Sequence, residues 1–341
     1  MIKKYEASIV FAFSNKKEKA HGNPALIVFV DDSDKLDDKE RALITENAKV
    51  SINGENPVIL PIISFISKID DINFKIRHFL PNREVSSCGH GTVASTKAII
   101  EKYGKIGNEY IFHLNKSFKE NEKNPIYKVE VGEDNFILYP GNDTDFYSID
   151  ENDDGYKIIQ KNLGDNFIDG TLYKTGLDDY ICLCENAKQL RETIILKENL
   201  KKLRNKGMNY RIFVVVAPSD IDGYDYETTV FSDELPPPVY KDPACGSANR
   251  EVPKLLKLTL KSGKFPLKYR ERFENKFKQK EQIFKMFYPY RFADQTAKIK
   301  GIKGGIQEVR YSKEQIAITC CASDVQNIKI TIDGKKIEFK Q

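Results

Sequence analysis

Two short stretches carry the residue types that could bind an anion and move a proton. Cys88-Gly89-His90-Gly91-Thr92 and Cys245-Gly246-Ser247 each set a cysteine, a glycine turn and a small polar residue at the head of a helix-like run. The first reads SSCGHGTVASTKAII and the second KDPACGSANREVPKLL. A helix N-terminus offers backbone N–H groups without intrahelical acceptors and the positive end of the helix dipole. Two such termini facing one cleft would hold a carboxylate, so two copies of the device point to two similar halves. Glu55, in SINGENPVILP, stands just before a strand-like run. Taken alone it reads as a surface carboxylate in a turn.

These residues need elements to carry them. Residues 5–13 and 25–30 read as strands joined by a turn at His21-Gly22-Asn23-Pro24. Residues 37–51 look helical, and Pro57–Pro61 and Phe74–Phe79 look like strands. Gly89 to Tyr103 is expected to be a helix with Val93, Ala94, Ala98 and Ile99 on its apolar face and Gly104 as its stop. Asn115–Asn124 is polar, as a linker would be. Strands are expected again at Tyr127–Val131 and Phe136–Tyr139, followed by an Asp-rich stretch from Gly141 to Gly155. Tyr180–Cys184 and Tyr210–Val216 read as strands flanking a helix at Ala187–Lys206. Leu235-Pro236-Pro237-Pro238 is a stiff lead-in to the second glycine turn. A helix is expected from Ala248 to Leu260, with Pro253 tolerated in its first turn. Strand-rich then helical segments thus occur twice in succession.

The 341 residues suffice for one large domain or two medium lobes with a substantial core. No apolar run is long enough to cross a bilayer, and MIKKYEASIVFAFSNKKEK reads as a first strand, not a signal peptide. The six cysteines show no dense disulfide spacing, so a reducing, cytoplasmic location is expected. Cys182/Cys184 and Cys320-Cys321 are spaced poorly for zinc and read as core residues, so no metal is expected. His21, His78 and His113 have no partner in sequence and read as structural. The net charge of +4 hides a local excess: residues 261–285 hold nine Lys/Arg against three Glu. That is no signature of a nucleic-acid-binding protein, and neither nucleic acid nor membrane is an expected partner. Within Ser262–Tyr290, Tyr269, Phe273 and Phe277 recur every four residues and are followed by Phe284, which marks an amphipathic helix with lysines opposite. Its ordinary reading is a packed helix with a solvated face. Its sharper reading is a docking surface for an anionic partner, membrane or RNA.

Taken together, these motifs resemble, in order and over nearly the whole chain, the PhzF-like (phenazine-biosynthesis) isomerase family of the diaminopimelate epimerase-like superfamily. Gly22-Asn23-Pro24-Ala25 resembles its early GNPA turn, and Gly54-Glu55-Asn56 its SET-type segment. RHFLPNREVSSCGHGTVAS resembles its R-x-F-x-P-x-x-E-V-x-x-C-G-H-A-T stretch, DPACGSA its D-P-x-T/C-G-S-A, and Gln295 with Gly304-Gly305 its late Q-x-S-x-x-G-G segment.

The resemblance implies an α+β fold of two pseudo-symmetric lobes, each a sheet wrapped around a central helix. With the polar linker as boundary, the lobes are expected at 1–124 and 125–341. The basic helical stretch near 262–290 would be an insertion, and the last strand would be free to return to the first lobe. The implied activity is that of a cofactor-independent isomerase that moves a proton on a small carboxylate, working as a homodimer. Glu55 would shuttle the proton, while His90, Asp242 and Ser247 orient the substrate. Asn23, Gly89, Gly91, Thr92 and Gly246 are the expected substrate-binding positions. Two alternatives stay open at this point: a two-cysteine racemase or epimerase using Cys88 and Cys245 as bases, and a catalytically weak binding protein acting through its basic insertion. The sequence departs from the family pattern at Gly54, Asn56, Lys241 and Asn249, and TTVFSDELPPP lacks the arginine expected there.

Overall fold

A computed structural model describes residues 2–50, 58–81, 83–115, 126–141, 144–163, 167–168, 170–193, 195, 197–205, 208–233, 241–242, 244–289, 304–312 and 315–340. The chain forms two compact units: residues 1–140 with 319–341, and residues 141–318. The first holds helices α1 (Asp38–Asn47) and α2 (Gly89–Tyr103). The second holds α3 (Asp154–Leu163), α4 (Ala187–Glu192), α5 (Lys197–Asn205), α6 (Gly246–Lys261) and α7 (Leu267–Lys278).

In the first unit, Lys336–Lys340 edges the row and pairs antiparallel with Gln326–Asp333, which is antiparallel to Ile2–Ala12, itself antiparallel to Asn23–Phe29. That strand runs parallel to Ile62–Lys68, which pairs antiparallel with Asn73–Leu80. Asn73–Leu80 runs parallel to Glu109–Leu114, which is antiparallel to Ile126–Val131. The helix α2 touches Ile2–Ala12, Asn23–Phe29 and Ile62–Lys68, and also Ile126–Val131 and Phe136–Tyr139 far along the row. A sheet that reaches one helix from both directions is curled around it. Every residue of α2 from Gly89 to Thr96 is buried. Such a helix is held by burial on all sides, not by an amphipathic stripe.

The second unit repeats this pattern. Phe146–Ser148, Tyr173–Thr175, Tyr180–Leu183, Phe213–Pro218, Tyr226–Phe231, Gln282–Phe287 and Ile306–Tyr311 pair in that order. The senses run antiparallel, antiparallel, parallel, antiparallel, parallel, antiparallel, as in the first unit from Gln326–Asp333 onward. In each unit the central helix follows a short return strand: Arg83–Val85 on Asn73–Leu80 before α2, and Lys241–Asp242 on Tyr226–Phe231 before α6. The central helix α6 touches Tyr180–Leu183 and Ile306–Tyr311, well apart in the row.

Several expectations are corrected. Ile126–Val131 pairs with Glu109–Leu114, so the first unit continues past residue 124 to residue 140. The strand Ile62–Lys68 is absent from the sequence-based reading; six of its seven residues are buried, so no alternation marks it. The helix expected over Ala187–Lys206 is two helices, with Thr193 in an extended conformation closing the first. Because α6 begins at Gly246, Pro253 lies inside it and not in its first turn. Phe284 is not on the helical stripe: α7 ends at Lys278, and Phe284 sits in a strand opposite Val309. Residues 282–287 are therefore a sheet strand, and the helical part of the basic stretch is α7. Along α7, Tyr269 and Phe273 are buried and Phe277 is half-buried.

Candidate active site

Before α2, the chain turns at Gly22 with φ +83°, where a Cβ would lie 2.6 Å from the Ala12 carbonyl oxygen. Only glycine fits there, and the turn delivers Asn23, fully buried, to the head of its strand. The Asn23 amide nitrogen lies 3.3 Å from His90 Nδ1. Cys88 caps α2: its backbone is extended, and its Sγ accepts from the Gly91 N–H at 3.4 Å. The same sulfur lies 3.3 Å from His90 Nδ1.

A second histidine, His78, holds this turn from beneath. Its ring sits 2.8 Å from Ser64 Oγ through Nδ1 and 3.3 Å from Thr92 Oγ1 through Nε2. The Thr92 hydroxyl donates to the Cys88 carbonyl at 2.8 Å. Desolvation pushes the pKa of His78 and of His90 down to about 3, so both rings are neutral. At Gly91, a Cβ would lie 2.8 Å from Ser64 Oγ and 2.9 Å from His78 Nδ1. The family pattern has alanine at this position, and His78 explains the glycine here. His78 is thus a support for the site, which its isolated place in the sequence does not reveal. Thr92 is fully buried with its hydroxyl engaged and its N–H bonded to the Cys88 carbonyl. Through these bonds it builds the turn.

At the start of α6, Cys245 is the cap residue without a side-chain capping bond, and its Sγ lies 3.3 Å from Ser247 Oγ. The Arg211 guanidinium donates to Ser247 Oγ at 3.2 Å and grips the buried Asp179 carboxylate with Nε, at 2.8 Å, and Nη2. Asp242 accepts the Ala244 N–H at 3.0 Å. Desolvation raises the Asp242 pKa to about 6, opposed by that N–H, by the Cys245 thiol and by Arg211. Burial, with the Asp242 charge adding to it, pushes the Cys245 thiol up to about 12. Burial drives the neighbouring Lys241 down to about 7. Asn249 lies in a closed cluster, donating to Gln307 Oε1 at 2.6 Å, while Tyr288 donates to the Cys245 carbonyl at 2.5 Å.

Sequence reasoning misses Arg211, because its partners lie 32 and 36 residues away with no local signal. Arg211 stands just before the strand Phe213–Pro218, which holds the same place in its row as Ile62–Lys68 does in the first. Ser247 and His90 likewise are each the second residue of a central helix.

Glu55, its neighbours Gly54 and Asn56, and Gln295 lie outside the described residues. Cys88, Gly89, His90, Gly91, Thr92 and Asn23 belong to the first unit; Asp242, Cys245, Gly246 and Ser247 belong to the second. All six cysteines are free thiols. Among the described residues, no group of three His, Cys, Asp or Glu could hold a metal ion, and no helix is long and apolar enough to cross a membrane.

Comparison with solved structures shows the fold. The chain is similar to a phenazine biosynthesis protein of the PhzF family from Bacillus anthracis (TM-score 0.67, 17% identity, covering 97% of this chain and 100% of that one). It is also similar to a PhzF family protein from Enterococcus faecalis (TM-score 0.64, 17% identity, 95% and 99% covered). A third structure, described as a predicted epimerase from Pseudomonas aeruginosa, matches with TM-score 0.58 at 13% identity, 95% and 98% covered. The architecture is the diaminopimelate epimerase-like α+β fold. One curated relative, the uncharacterized isomerase YfhB of Bacillus subtilis (strain 168), is 35% identical over 99 residues. That match spans 29% of this chain and 27% of the relative, about a quarter of its length. The family model for phenazine biosynthesis-like proteins, PhzC-PhzF, matches residues 10–280, and the chain belongs to that family.

Proposed function

We propose that the protein is a cofactor-independent isomerase that moves a proton on a small carboxylate, with carboxyl groups doing the acid–base work. This reading is supported by the family match and by the places of His90 and Ser247, each the second residue of a central helix; in the short strand before α6, burial raises the Asp242 carboxyl to about 6. A group that titrates near the working pH can both take and return a proton. The neighbouring groups are poorly matched to such a role, since Cys245 is held at about 12 and His90 at about 3. Glu55 is the primary proton shuttle, a role carried over from the family motif. His90 and Ser247 serve as hydrogen-bonding groups, each the second residue of a central helix, where free N–H groups stabilise charge on a carboxylate. The high pKa of Cys245 weighs against a racemase with two thiol bases. The uncharacterized isomerase among the relatives supports the coarser reading of an isomerase.

The test is proton exchange in D₂O, followed by ¹H NMR on small carboxylates with an activated C–H bond. The native protein should exchange one position. Glu55→Gln should lose about 10²–10⁴ in rate, and Asp242→Asn should also be impaired. Cys245→Ser should keep most activity. A dead Cys245→Ser beside a live Glu55→Gln would overturn the carboxylate mechanism.

A further inference from the structure

We propose that Asn23 is a positioning residue that fixes His90 as the tautomer with its proton on Nε2, so that His90 meets the substrate as a neutral donor. The proposal deepens the functional reading above and rests on it for its significance, but its geometry lies wholly within the first unit. In the orientation that the Asn23 amide takes here, its nitrogen lies 3.3 Å from His90 Nδ1 and, being only a donor, calls for an acceptor there. The ring nitrogen it meets must therefore accept, which leaves the proton on Nε2. The Cys88 sulfur lies nearer to Nδ1, at 3.3 Å, than to Nε2, at 3.8 Å. The sulfur accepts the Gly91 N–H and keeps a second lone pair and its own S–H, so it suits either ring tautomer and leaves the choice to Asn23. Asn23 is fully buried and His90 is 5% exposed, so water has little access to rearrange the pair. Desolvation keeps the ring from taking a second proton.

The assignment changes what each residue does. The family resemblance makes Asn23 a substrate-binding position; here its amide nitrogen is turned to the ring, and it acts through His90. A neutral Nε2–H polarises a carboxylate or carbonyl oxygen without giving up its proton, which leaves proton transfer to the carboxyl groups. The turn also contains an internal control. The Thr92 hydroxyl spends its only proton on the Cys88 carbonyl, so Thr92 Oγ1 must accept from His78 Nε2–H. His78 Nδ1 then accepts from Ser64. Both buried histidines should carry the same tautomer.

The experiment is long-range ¹H–¹⁵N correlation spectroscopy of the full chain labelled with ¹⁵N-histidine at neutral pH, without substrate. His90 is assigned by the signals lost in His90→Gln. The expected result is a pyridine-type Nδ1 and a pyrrole-type Nε2 for His90 and for His78. Asn23→Asp replaces the donor with an acceptor and should move the His90 proton to Nδ1, while His78 stays unchanged. Asn23→Ala should shift the His90 nitrogens towards averaged positions. A pyrrole-type Nδ1 in the native protein would overturn the proposal, as would an unchanged His90 in either Asn23 variant. If Asn23→Asp fails to fold, the native spectrum and Asn23→Ala still decide. Because no turnover is measured, failure here is distinct from failure of the exchange assay.

Discussion

Removing the Phe273 ring tests how the basic helix is held. Phe273 is fully buried, 4.9 Å from the Phe265 ring and 6.3 Å from the Phe284 ring between centroids. Phe→Ala at such a site costs about 3–5 kcal/mol, because the lost burial adds to the cavity left behind. Phe265, itself 2% exposed, and the sheet strand beneath leave little room for collapse, which favours about 4 kcal/mol. Phe277 is half-buried and meets Phe284 at 5.4 Å, so Phe277→Ala should cost about half as much. For a unit of this size, about 1 kcal/mol lowers the midpoint by roughly 2–4 °C. The transition of the second unit should therefore fall by about 8–16 °C in Phe273→Ala and by roughly half that in Phe277→Ala. Differential scanning calorimetry with urea titration reads both values. A cost below about 1 kcal/mol for Phe273→Ala, or a larger loss for Phe277→Ala, would refute the packing argument.

Other outcomes follow from the two helix starts. Gly91→Ala should destabilise the first unit by about 1–3 kcal/mol, since its Cβ meets the Ser64–His78 bond; urea denaturation measures it. Arg211→Met should cost about 3–5 kcal/mol by leaving the buried Asp179 carboxylate without its bidentate partner, and Asp179→Asn in the same chain should recover part of that loss. Lys241 has a folded pKa of about 7, below the ordinary 10.5, so the unfolded chain binds more protons between these values. Stability should therefore rise as pH climbs from about 7 towards 10.5, and Lys241→Met should flatten that rise in pH-dependent melts.

Much of this architecture is legible in the sequence because local signals agree with the fold. The helix Gly89–Tyr103 has a glycine turn before it, a glycine stop after it and apolar residues at helical spacing, and it occupies those residues. The strand Ile62–Lys68 gives no such signal, since a strand buried on both faces loses its alternation. Phe284 misleads because seven residues after Phe277 is a helical interval, although α7 ends at Lys278 and Phe284 belongs to the short apolar-rich strand QIFKMF. At the site, the motif residues His90, Asp242 and Ser247 stand out in the sequence. Their supports do not: His78 reaches α2 across the sheet, and Arg211 reaches Ser247 from 36 residues away. Side-chain partners that meet only through tertiary structure leave no periodic trace.

The pairing of Ile2–Ala12 with Gln326–Asp333 also bears on how the protein is made. Ile2 faces Asp333 in that register, so the ladder joins segments more than 300 residues apart. At about 5–20 residues per second, the early strand leaves the ribosome roughly 15–60 seconds before its partner is synthesised. Throughout that interval one edge of the nascent sheet stays unpaired and open to wrong pairings. Residues 141–318 form the second unit without the late segment and are free to fold during the wait. The last step of biogenesis is then closure of a long loop, which is slow in proportion to its contact order. Holdase chaperones that cover a strand edge should raise the yield of folded protein, and they should do so most when added before residues 326–333 emerge.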